Sequence, residues 1–238
     1  MTGRGVRVAI VDSGVFAAHP HVGGVAGGVA IEEDLREGDD YVDRLGHGTA
    51  VTAVIREKAP EAELYAVRVF DRALSTSLSR LVRAIDWAAR AEMHVINLSL
   101  GTRRVEHEPA LVDAVKDAAA HDVVIVSAQE DEDGVRWLPG SLAMRGVIGV
   151  QVDWTCPRDE FRVATRVDDG VVFRASGYPR PIPGVPPARN LNGVSFAVAN
   201  MTSFVARALG ECPGASYEQL LARLVNQLKA TSAAASPL

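Results

Sequence analysis

Cysteine is nearly missing from this chain: Cys156 and Cys212 are the only two among 238 residues. Two thiols exclude a disulfide scaffold and a structural zinc site, and they suit a reducing compartment. A basic run is also missing. The net charge of -5 is spread over mixed-sign segments, which argues against nucleic acid or an anionic membrane as partner. No apolar run reaches about 18 residues and no charged-then-apolar leader opens the chain, so the expectation is a soluble, cytoplasmic protein. Val11 is not followed by a glycine-rich phosphate loop, which removes a nucleotide-binding reading. His19 and His21 have no acidic or cysteine ligand at metal spacing, and Asp34, Asp39 and Asp40 lack the spacing of a calcium loop. No metal and no other cofactor is expected, and nothing in the chain speaks to its oligomeric state.

What is present is a chain that is 47% hydrophobic and 23% charged, enough for one globular domain, expected over residues 1–230 with a disordered tail at 231–238. Aliphatic runs alternate with helical periodicity. Val6–Val11, Leu64–Phe70, Val95–Leu98 and Val123–Ala128 read as buried strands. Between them lie an amphipathic helix from Ser77, its N-cap, to Ala91, and a second from about Pro109 to His121. Strand, helix, strand, helix predicts a parallel sheet with right-handed crossovers. Short strands follow at 147–152, 161–165 and 171–175, then a proline-rich loop at 179–187 and a last helix at about 217–228.

Three residues stand at strand or helix ends, each open to more than one reading. Asp12 closes the first strand, where it could form a turn, bind a phosphate or metal, or orient a catalytic histidine. His47 sits among small residues, Gly46, Gly48, Thr49 and Ala50, either as a buried structural ring or as a base. At the start of a helix its protonated form is disfavoured, leaving a neutral imidazole. Ser195 opens a helix that is apolar nearly all round, Phe196 to Leu209, as an N-cap or as a nucleophile beside free N–H groups.

Read together, Val-Asp-Ser-Gly at 11–14, Gly-His-Gly-Thr at 46–49 and Gly-Val-Ser-Phe-Ala at 193–197 resemble the three signature blocks of the subtilisin-like serine peptidases. The order Asp, His, Ser on a parallel α/β sheet is the subtilisin order itself. The likeness runs from about residue 6 to 210, with Ala84 to Gly101 similar to that family's helix and substrate-binding strand. It implies a three-layer α/β fold, a central mostly parallel sheet flanked by helices. It also implies a serine endopeptidase acting on a peptide or protein substrate: Ser195 attacks the carbonyl, His47 carries the proton and Asp12 orients the ring. Ser99, Leu100 and Gly101 would pair with an extended substrate, with Ser127 and Ala128 along the pocket, and Gln129 and the Ser195 backbone would form the oxyanion hole. Asn97 would satisfy buried backbone.

Some positions depart from the family pattern. Gln129 stands near where the family has an asparagine; in subtilisin itself, loss of that donor lowers the rate roughly 10²- to 10³-fold. Val194 replaces the usual threonine, and Ala199 and Asn200 replace a proline and a histidine. These changes keep open a second reading, a peptidase-like protein that binds a peptide with little or no turnover. The sequence begins eleven residues before Asp12, short of the inhibitory propeptide that exported members carry; either that segment has been removed or the enzyme is intracellular, and the expectation is the second, a selective intracellular peptidase, for example one processing a modified-peptide precursor. The acidic run Glu130–Asp133 suggests a basic side chain before the cut.

Overall fold

The computed structural model describes residues 1–130, 133–165 and 171–234. Its frame is a nine-stranded sheet: β1 (Arg7–Asp12), β2 (Gly27–Ile31), β3 (Glu37–Gly38), β4 (Glu63–Arg68), β5 (Val95–Leu98), β6 (Val124–Ala128), β7 (Val147–Val152), β8 (Phe161–Thr165) and β9 (Val171–Ala175). The order across it is β3-β2-β4-β1-β5-β6-β7-β9-β8, parallel from β2 to β9 and antiparallel only at the β2–β3 and β8–β9 edges. Strands buried on both faces explain the unbroken aliphatic runs in the sequence.

Five helices cover the two faces: α1 (His47–Lys58), α2 (Leu78–Arg90), α3 (Glu108–Ala120), α4 (Val194–Glu211) and α5 (Tyr217–Ala234). Alternation along β1 sorts them. Val8 and Ile10 pack with Val51, Val54 and Ile55 of α1, with α4, and with Leu220 and Leu224 of α5. Ala9 and Val11 face the other way, against Leu81 and Ile85 of α2 and Leu111 and Val115 of α3. The result is the expected three-layer α/β architecture. Buried on nearly every side from Phe196 to Ala206, α4 is the spine of one layer, which is why its sequence is apolar around the whole circumference.

Some details differ from the sequence expectation. Ser77 does cap α2, its hydroxyl accepting from Arg80 N at 3.2 Å. The last helix, however, continues past Leu228 to Ala234, so the segment from Thr231 that was expected to be a disordered tail is helical through Ala234; residues 235–238 lie outside the described residues. Asn97 also differs. It is fully buried, but it donates to the Ser99 hydroxyl (2.8 Å) and accepts from Thr202 Oγ1 (2.9 Å), tying β5 to α4 through side chains instead of bonding backbone.

Candidate active site

The first link in the site is the turn after β1. Asp12 is fully buried, and its Oδ1 takes the Ser13 amide at 2.7 Å and His47 Nδ1 at 2.7 Å. The carboxylate therefore accepts the ring's Nδ1–H, which leaves Nε2 as the proton-accepting nitrogen of a neutral imidazole. Of the readings open for Asp12, the geometry selects the ring-orienting one. His47 is the first residue of α1, with its side chain 16% exposed and its ring centroid 5.9 Å from that of Phe196.

The start of α1 can lie this close to β1 because Gly48 has no side chain. A Cβ there would meet Gly14 O at 2.1 Å and the Asp12 Cβ and Oδ1 at 3.2 and 3.3 Å. Asp43 fixes the same helix start. Its carboxylate accepts from the amides of Leu45 (2.9 Å), Gly46 (2.8 Å) and Thr49 (2.8 Å), and from the hydroxyls of Ser13 (2.9 Å) and Thr49 (2.6 Å). Ser13 Oγ in turn accepts from Gly48 N at 2.9 Å. Its signal in the sequence was an acid four residues before a histidine at a helix start. Burial pushes the Asp43 carboxyl up, but the hydrogen bonds from Thr49, Leu45 and Gly46 outweigh it and hold the group below the usual carboxylate range.

These carboxylates reverse one expectation. A helix start should disfavour the protonated His47 ring, and burial does push its pKa down. The hydrogen bond and charge of Asp12, together with the charge of Asp43, overcome both effects, and the net shift is upward.

Ser195 enters from the opposite layer. Gly193, at φ 145°, is the cap of α4, which makes Ser195 the second helical residue, and no side chain caps the helix. The N-cap reading of Ser195 is thereby removed. Its hydroxyl donates to Ser99 O at 3.2 Å, and among the described residues no hydrogen bond joins it to His47. Both side chains nonetheless line one cavity of about 620 Å³, together with Ser99, Leu100, Gly101, Phe70, Leu74, Arg104, His107 and Trp137. The three residues singled out in the sequence, and the strand expected to bind substrate, do come together.

Gln129, Ser127 and Ala128 do not join them. Gln129 is buried with its backbone held by Val150 O (2.9 Å) and Trp137 N (2.8 Å), and its side chain lies beside Gly149. It lines a separate cavity of about 350 Å³ with Ser141 and Tyr217, its Oε1 unpartnered among the described residues. Ser127 and Ala128 are buried within β6, and neither lines the Ser195 cavity. Of the proposed oxyanion donors, only the Ser195 amide at the α4 N-terminus remains in place. The acidic run expected to favour a basic side chain lies partly outside the described residues, at 131 and 132.

Among the described residues no group of three or more His, Cys, Asp or Glu could hold a metal ion, and Asp34 and Asp40 are paired with Arg36 and Arg44 at 2.6 Å each. No helix of the described residues is long and apolar enough to cross a membrane.

Comparison with known proteins agrees with this geometry. The subtilase family (Peptidase_S8) matches residues 3–140, which include Asp12 and His47 and stop short of Ser195. The chain is 30% identical over 186 residues to the minor extracellular protease Epr of Bacillus subtilis (strain 168), covering 74% of this chain and 27% of that protein. It is 36% identical over 139 residues to Subtilisin Savinase of Lederbergia lenta, covering 54% of this chain and 48% of that protein. The chain thus spans about a quarter to a half of the length of these relatives. In structure it resembles a cold adapted subtilisin-like serine proteinase, with a TM-score of 0.68 and 23% identity over 92% of this chain and 81% of the other, a likeness of fold. The match over residues 3–140, joined to the parallel sheet and the Asp12–His47 pair, shows that the chain belongs to the subtilase family.

Proposed function

We propose that the chain is a serine endopeptidase in which Asp12, His47 and Ser195 form the catalytic triad. The observation that carries this reading is the 2.7 Å bond from buried Asp12 to His47, on the wall of the same cavity that holds Ser195. In the reaction, the Ser195 hydroxyl turns from Ser99 O toward His47 Nε2, gives up its proton there and attacks the peptide carbonyl. The imidazolium, stabilised by Asp12, then protonates the leaving amine, and water resolves the acyl-enzyme by the same route in reverse. The Ser195 amide faces the developing oxyanion. An extended peptide lies against Ser99, Leu100 and Gly101.

A finer part of the proposal is a selective processing role in the cytoplasm. The mixture of bulky apolar and cationic groups around the cleft supports selectivity, and the two unpaired cysteines suit a reducing compartment. Rapid, unselective digestion of casein would remove the processing role.

A second reading, a peptide-binding protein with weak turnover, is favoured by one specific observation: Gln129, the side chain expected to complete the oxyanion hole, lines a cavity other than that of Ser195. A fluorophosphonate probe separates the two. Labelling of the native chain at Ser195, mapped by mass spectrometry and absent in Ser195→Ala, supports the peptidase; no labelling of folded protein supports the binding protein.

A further inference from the structure

Trp137 has no part in the triad, yet it lines the same cavity as His47 and Ser195. It arrives there on a short segment that bridges the ends of two neighbouring strands. Beyond β5, Thr102 N donates to Leu138 O (3.0 Å) and Leu138 N to Thr102 O (2.9 Å); beyond β6, Trp137 N donates to Gln129 O (2.8 Å). The segment is pinned on both sides. At Gly140 it runs so close to β6 that a Cβ would meet Ala128 O at 2.0 Å.

The indole fills what this bridge leaves open beside the substrate strand. A Cβ on Gly101 would lie 2.7 Å from Leu138 O, 3.0 Å from Trp137 Cε3 and 3.5 Å from Trp137 Cβ, so the ring is already in contact with the bare backbone of that strand. Arg103 covers the ring, its guanidinium carbon 6.0 Å from the ring centroid. Phe70, Leu74, Leu78 and Leu81 also line the cavity.

Resting on the reading of the site as a peptidase, we infer that Trp137 determines specificity: it restricts the residue before the cut to glycine, alanine or serine. The carbonyl to be attacked must sit at Ser195 Oγ, itself 3.2 Å from Ser99 O. The residue that owns this carbonyl therefore lies against Ser99 to Gly101, and a side chain directed between the two strand ends meets indole after about one methyl group. A long basic side chain has no depth to occupy there, so the substrate is a peptide with a small residue before the bond and bulkier apolar residues seated elsewhere in the cleft. The indole Nε1–H is buried and without a partner among the described residues.

The test is cleavage mapping of the full chain on a proteome-derived peptide library, with mass spectrometry of the new termini. Glycine, alanine and serine should dominate before the cut, with leucine, phenylalanine, lysine and arginine disfavoured about tenfold or more. Trp137→Ala should admit the larger residues, whereas Trp137→Phe, which keeps most of the bulk and loses the N–H, should keep the small-residue preference. Efficient wild-type cleavage after large residues overturns the inference, with no variant needed. So does a Trp137→Ala protein that melts as the wild type does and keeps its profile. A binding arm separates this outcome from failure of the peptidase reading. Library peptides of matched sequence with alanine or phenylalanine at the position in question are titrated onto Ser195→Ala. Preference for alanine without wild-type turnover upholds the role of Trp137 and rejects the peptidase; equal binding, or none, rejects the role.

Discussion

Replacing Gly48 by alanine puts two opposed effects at one atom. Gly48 is the second residue of α1, where alanine is favoured over glycine by about 1 kcal/mol of intrinsic helix preference. The added methyl, however, would sit 2.1 Å from Gly14 O, whereas a carbon rests about 3.3 Å from a carbonyl oxygen. The helix start must therefore retreat from the β1 turn by roughly 1 Å. Overpacking against backbone costs about 1–3 kcal/mol, toward the upper end here because no flexible side chain can move aside. The net destabilisation is about 1–2 kcal/mol, a melting point lower by about 2–8 °C in a chain of this size. His47 is the adjacent residue and moves with the helix, so a 1 Å displacement from Asp12 and Ser195 should lower the rate of peptide cleavage and of fluorophosphonate labelling by about 10². Calorimetry and labelling kinetics on Gly48→Ala read both. Gly46→Ala is the control: it has open space but φ 83°, so it should lose about 1–2 kcal/mol through backbone strain alone, with a smaller effect on labelling. A Gly48→Ala protein that melts at or above the wild type and labels at its rate would show that the close approach of α1 to Asp12 is not what sets the site.

Three further substitutions have expected outcomes. Asp43→Asn removes a charge that raises the His47 pKa, so the acid limb of kcat/KM should move to lower pH, and an unmoved limb counts against the electrostatic role. Because the His47 pKa is raised on folding, its contribution to stability is present below about pH 6.5 and fades as pH rises through the folded value; Asp43→Asn should shrink that difference in melting point. Gln129→Leu should leave kcat within about threefold and the melting point unchanged or higher, since the side chain faces away from Ser195 and buries an unpartnered oxygen; a loss of about 10² or more would restore it to the oxyanion hole. Lys58, half-buried at the end of α1 against Asn200, has its pKa pushed down to about 7 by the loss of solvent around its ammonium. The unfolded chain then binds more protons between about pH 7 and pH 10, so stability should rise with pH across that window, and Lys58→Met should flatten the rise in a pH series of melting curves.

Local pattern and chain order were enough to give the layer architecture and most strands and helices, and to single out Asp12, His47 and Ser195; the edge strands β2 and β3 were not legible in them. Buried strands need unbroken aliphatic runs, amphipathic helices need a 3.6-residue period, and the three signature blocks carry their residues within a few positions of each element end. Side-chain direction was beyond its reach. That Gln129 lies beside Gly149 depends on the pairing of β6 with β7, a strand about twenty residues further along the chain. The sign of the His47 shift depended on the Asp12 carboxylate meeting the ring at 2.7 Å, with Asp43 adding to it, and the place of Trp137 depended on a bridge between two strand ends that only the packed sheet brings together. Contacts between residues distant in the chain form only in the folded state, and they decided what the motif could not.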